Sequence, residues 1–115
     1  MADPPPRSQP KLWRQGDILI QEHFAPDEAT RAQLVRRKKP ILAEGEHTGH
    51  RHEVAGRRAA RLYSLPKTES QLLEIVAERA DVIHPEHGPI SLTRGWYRVW
   101  RQREWNGWGF STVGD

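Results

Sequence analysis

The sequence predicts a mainly β protein: a small antiparallel β-barrel or sandwich with at most one or two short helices. Three observations carry that expectation. From Pro40 onward, apolar residues recur in short runs whose period is nearer two than 3.6. Gly and Pro cut those runs at intervals of roughly ten residues, the punctuation of strands joined by turns. Large aromatics, including five Trp, supply bulk for a core even though charged residues make up 29% of the chain; disordered chains are usually poor in such side chains.

The elements follow in order. Residues 1–11, with Pro4, Pro5, Pro6 and Pro10 among polar side chains, read as a flexible Pro-rich tail, and residues 12–115 as a single β domain with a His-rich site. Gln15 and Gly16 form a turn ahead of a strand through Ile18, Leu19 and Ile20. Residues 26–37 carry helix-start chemistry, with Asp27 as N-cap and basic residues at the far end, so one short helix or structured loop is expected. Short strands follow at 41–43, 50–54 and 60–65. Leu72, Leu73, Ile75 and Val76 read as a strand, although they also fit one face of a helix over 68–79; the flanking punctuation favours the strand. Asp81-Val82-Ile83, a strand at 89–92, a turn at Arg94-Gly95 and a long final strand over 96–105 complete the series.

A chain of 115 residues suffices for one modest core. The absence of Cys excludes disulfides, thiolate nucleophiles and Cys-bound zinc. A formal charge of +3 with many arginines permits a basic face, and so RNA or an anionic small molecule as partner. No window has the apolar length of a bilayer span, and the N-terminus lacks a charged start followed by an apolar run. The expectation is a cytoplasmic protein with no membrane partner; a homo-oligomer stays open.

Chemistry concentrates in two windows, Gly45-Glu46-His47-Thr48-Gly49-His50-Arg51-His52-Glu53 and His84-Pro85-Glu86-His87-Gly88, which hold five of the six histidines. Imidazole beside carboxylate is the usual means of holding a divalent metal or moving protons near neutral pH. On a strand, His50 and His52 share one face while Arg51 points the other way. His84 and His87 fall on a strand end and the turn after it. If that turn lies over the His50/His52 face, the imidazoles converge, with Glu46 or Glu86 as oxygen ligand or base. Nitrogen-rich ligation by His50, His52, His84 and His87 favours Zn, Ni, Mn or Fe over Mg or Ca. His50, His87, Glu46 and Glu86 are the candidate catalytic groups. The late strand adds Arg98, Arg101 and Arg103, guanidinium groups suited to a phosphate or carboxylate.

The His-x-His pair with a later His is similar to the metal pattern of the cupins, on Gly45, His50, His52 and His87. The glutamate that pattern places several residues after the pair is missing, because Glu53 is followed by Val54-Ala55-Gly56-Arg57. More of the chain resembles an uncharacterised family of small bacterial and phage proteins. The residues that carry this are Gln15-Gly16-Asp17-Ile18-Leu19-Ile20, Leu42-Ala43-Glu44-Gly45-Glu46, Thr48-Gly49-His50-Arg51-His52, Glu86-His87-Gly88-Pro89-Ile90, Tyr97-Arg98-Val99 and Arg101-Gln102-Arg103-Glu104. Thr93 and Trp105 depart from that family's pattern, which tends to Pro and Tyr there. The resemblance implies one ordered domain with the His windows as its signature, and no activity.

Three functions fit these residues. The first is a divalent-metal site, catalytic if a coordination position stays open. The second is a metal-independent ribonuclease in which two histidines act as base and acid on a phosphodiester with arginine support. The third is a non-enzymatic module that binds RNA or protein.

Overall fold

A computed structural model describes residues 9–45, 49–105 and 110–112, with backbone alone for 103–105 and 110–112. Residues 1–8 of the expected tail, and Glu46 with His47, lie outside the described residues. The chain enters the fold as β1 (Leu12–Gln15) and reverses through Gly16 and Asp17 into β2 (Ile18–His23). Gly16, at φ +58°, takes the first central position of a two-residue hairpin turn, where a left-handed backbone matches the twist of the flanking strands. Ile18 and Ile20 alternate into the core.

The expected helix is α1 (Glu28–Gln33), capped by Asp27, whose Oδ1 accepts from the Thr30 N–H at 2.7 Å. None of its residues is buried, but Arg31 lies over the Trp96 ring, 5.4 Å from its centroid. Then come β3 (Val35–Arg36), β4 (Ile41–Glu44), β5 (Arg51–Val54) and, after a 3-10 turn, β6 (Ala60–Ser64). Two long strands, β7 (Gln71–Ile83) and β8 (Ile90–Arg101), carry most of the pairing, and β9 (Arg103–Trp105) pairs with β10 (Phe110–Thr112) as a separate hairpin.

The main sheet has eight antiparallel strands, ordered β1-β2-β8-β7-β5-β4, with β6 joining β3 to β7. One edge of β7 is shared: its first half, Gln71 to Ile75, pairs with β6, and its last residues, Val82 and Ile83, pair with β5. The sheet curls strongly without closing into a barrel. Gln15 on β1 donates from Nε2 to the Val82 carbonyl on β7 at 3.0 Å. Three strand spacings would separate those elements by about 14 Å in a flat sheet. The concave face holds one hydrophobic cluster that includes Ile20, Leu62, Leu73, Ile75, Val82, Leu92 and Val99.

The mainly β expectation holds. So does the reading of Leu72, Leu73, Ile75 and Val76 as strand: all four lie on β7, with Leu73 and Ile75 on the core face and Leu72 buried on the other. Three details differ. Asp81-Val82-Ile83 is the continuation of that same strand. Arg94-Gly95 is no turn, because β8 continues through it without a break. Gly95, at φ +148°, sits opposite Ile75 where the β7/β8 ladder shifts; four steps along β7, from Ile75 to Arg79, match two along β8, from Gly95 to Thr93. The surplus is absorbed as a bulge, and glycine supplies the backbone freedom it needs. The final strand breaks at Gln102, whose N–H donates to the Asp17 carbonyl at 2.7 Å. Among the described residues no helix is long and apolar enough to cross a membrane.

Candidate functional site

Curling brings β5, the β1–β2 turn and the β7–β8 loop to one end of the sheet. His52 projects inward from β5 and is completely buried, while Arg51 beside it is exposed. His84 leaves the end of β7 and is 8% exposed. The His52 and His84 rings lie 4.2 Å apart at 32°, and the His84 and His87 rings 4.5 Å apart at 34°. His52 and His87 are nearly parallel, 8° apart in plane with centroids at 6.1 Å. His50 meets His84 edge-on at 5.7 Å. The four histidines singled out in the sequence thus form a packed group, with His84 at its centre.

Polar contacts set the ring orientations. The Gln15 amide nitrogen donates to the carbonyls of Val82, at 3.0 Å, and Gly88, at 2.9 Å, so its Oε1 faces His52 Nδ1 at 2.9 Å. On the other side, His52 Nε2 lies 3.5 Å from Asp17 Oδ1, and Arg101 Nε lies 2.8 Å from Asp17 Oδ2. His52 thus turns Nδ1 to the Gln15 amide oxygen and Nε2 toward the Asp17 carboxylate, which Arg101 holds from its other side. His84 Nδ1 accepts the Glu86 backbone N–H at 3.0 Å, which places the proton of a neutral ring on Nε2. His50 Nδ1 is 3.0 Å from Glu86 Oε1, with both side chains partly exposed. His87 turns Nε2 toward Gly16, where it is buried with no hydrogen-bond partner among the described residues.

Beside the group opens a pocket of about 360 Å³ whose walls include His50, Arg51, Glu53, Ile83 and His84. Its wall residue His50 is paired with the Glu86 carboxylate, and His84 behind it joins the buried polar network. The metal expectation meets a specific geometry here. His52, His84 and His87 present ring faces to one another, whereas ligands must aim nitrogen lone pairs at a common point. Among the described residues no group of three or more His, Asp or Glu is arranged to hold a metal ion.

Of the three expected arginines, Arg101 joins the network through Asp17 and Arg98 lies away from it. Arg101 is held by Asp17 and donates from Nη2 to the Glu44 carbonyl at 3.0 Å. Arg98 lies on the exposed face, its Nε donating to Ser70 Oγ at 2.9 Å and its guanidinium 4.5 Å over the Trp100 ring. Glu46 and the Arg103 side chain lie outside the described residues. Two residues of the network, Gln15 and Asp17, are absent from the sequence-derived candidates. They flank a turn glycine, where polar residues are ordinary; only their burial, at 2% exposure each, sets them apart.

Fold and site together define an open antiparallel β-sheet protein with a buried imidazole–carboxylate cluster at one end. The chain belongs to the family described as a domain of unknown function, DUF8820, which it matches over residues 14–102, a span that includes both His windows. No match is found among curated proteins or solved structures.

Proposed function

We propose that the His cluster is an acid–base site that works without a metal on an anionic substrate, with an RNA phosphodiester as the substrate to test first. One observation carries this reading: His50, on the pocket wall, is paired through Nδ1 with the Glu86 carboxylate at 3.0 Å. A carboxylate on one imidazole nitrogen fixes the proton there and places the lone pair on the other. His50 Nε2 then takes the proton of the ribose 2′-hydroxyl as its oxygen attacks phosphorus, and the bond from phosphorus to the 5′-oxygen breaks to leave the cyclic phosphate. His84 hydrogen-bonds the leaving 5′-oxygen through Nε2–H while that oxygen takes its proton from solvent water, and Arg51, on the pocket wall, supplies a cation for the developing negative charge. The buried Gln15–His52–Asp17–Arg101 network holds His84 in place from behind.

The test is cleavage of single-stranded RNA by EDTA-treated protein, read as products ending in a cyclic phosphate. His50→Ala should lower the rate by about 10²-fold or more, the usual weight of a positioned base. Glu86→Gln should lower it less. Absence of cleavage, or a rate unchanged in His50→Ala, would sink the proposal. About one Zn, Ni, Mn or Fe per chain after chelator-free purification, lost in a His50→Ala/His52→Ala variant, would put the metal reading in its place; the ring stack would then have to part for nitrogens to converge.

A further inference from the structure

A second groove, of about 760 Å³, lies on the other side of the β4–β5 hairpin from the His pocket. One wall is the segment between β3 and β4, where Arg37, Lys38 and Lys39 are consecutive, exposed and without an ion pair among the described residues. The opposite wall comes from the loop before β7 and offers the Ser70 hydroxyl, since Thr68 already donates its own to the Leu65 carbonyl at 2.9 Å. Ser70 in turn holds Arg98, whose guanidinium carbon lies 4.5 Å from the ring centre of partly exposed Trp100 and extends the groove with a cation on an aromatic face. Glu44 and Glu69 are the acidic groups on its lining, against the three cations Arg37, Lys38 and Lys39, so the groove is net positive before Arg98 is added.

The groove and the pocket are neighbours by strand register. Glu44, on the groove lining, is the cross-strand partner of Arg51, on the pocket wall. An extended ligand lying along the cations needs to pass only one hairpin to reach His50.

We infer that this groove binds the backbone of single-stranded RNA, with Arg37, Lys38 and Lys39 on its phosphates and the Arg98/Trp100 pair as a platform for a base. Consecutive cations with a hydroxyl donor opposite suit a repeating anion better than a single phosphate. An aromatic ring beside a planar guanidinium takes an unpaired base, which a duplex does not offer. The passage of this strand to His50 as substrate rests on the acid–base reading above; its binding in the groove does not.

The experiment is binding of a labelled single-stranded RNA oligonucleotide to the full chain carrying His50→Ala, so that cleavage does not intervene. A triple variant, Arg37→Ala/Lys38→Ala/Lys39→Ala, should raise Kd at least tenfold and flatten the slope of log K against log salt by about two, near 0.7 for each lost phosphate contact. All three side chains are exposed, and a thermal melt beside the binding curve checks that the fold is kept. Arg98→Ala should raise Kd by about tenfold through loss of the platform, and Arg98→Lys should recover only part of it. Equal Kd for the triple variant and its parent, no binding at low salt, or duplex RNA bound as tightly as single strands would each overturn the inference. If the groove binds RNA that the wild-type chain leaves intact, the groove stands and the acid–base reading falls.

Discussion

Gly16 shows how tightly single residues constrain the His cluster. Its backbone is left-handed at φ +58°, and a Cβ there would lie 2.7 Å from His87 Nε2 and 3.4 Å from His52 Cε1. Both terms act against any side chain, since the backbone strain is about 1–3 kcal/mol and the imidazole behind it is packed against two others. Gly16→Ala is expected to cost about 2–3 kcal/mol, read as a lowered denaturant midpoint at unchanged m-value. A midpoint within error of wild type would mean that His87 can swing out and is not part of a fixed stack. Asp17, beside it, balances His52 on one oxygen and Arg101 on the other, so the turn that reverses the chain also delivers the counter-ion of the site.

The paired strands β7 and β8 organise everything else. β7 spans two partners on one edge, β6 and then β5, and the surplus residues between Ile75 and Arg79 provide the bend between them. Gly95, buried and at φ +148°, is where β8 follows that bend. Gly95→Val is therefore expected to destabilise the fold by about 1–3 kcal/mol, a Tm drop of about 4–8 °C for each kcal/mol in a domain of this size. A Tm unchanged by the substitution would show that the bend does not depend on that backbone angle. At the opposite end of β7, His84 follows Ile83 directly, so the same bend governs where the second His window sits.

At the scale of the molecule, pH links the core to stability. Tyr97 faces the core on β8 and donates its hydroxyl to the Thr93 carbonyl at 2.6 Å. Burial pushes the phenol above its ordinary value of 10.0, with the Thr93 bonds opposing. A folded-state pKa above the unfolded one means stabilisation that is complete below pH 10 and fades as pH rises through the folded value. Stability measured from pH 8 to 11.5 should thus fall more steeply in the wild type than in Tyr97→Phe, which has no phenol to ionise. Parallel curves for the two proteins would show that Tyr97 is not sufficiently buried to link its proton to folding.

The strands were legible wherever a short apolar run met Gly or Pro, as at Ile18-Leu19-Ile20, 41–43 and 60–65, because alternation and turn chemistry are local. The Asp27 cap was legible for the same reason. The continuity of β7 and of β8 was not: a glycine that ends a strand and one that lets it bend are the same letter, and only the partner strand distinguishes them. The two His windows pointed to a cluster, since histidines are scarce elsewhere in the chain, and the packing of His50, His52, His84 and His87 agrees. Their mode of meeting, with His52, His84 and His87 ring to ring and His50 edge-on to His84, depends on ring angles set by Gln15, Glu86 and the β7–β8 loop, residues remote in sequence from one another. Local pattern thus identified the strands and the chemistry, while long-range contacts chose the curl of the sheet, the burial of Asp17 and the orientation of each imidazole, because these depend on which distant side chains share one end of the fold.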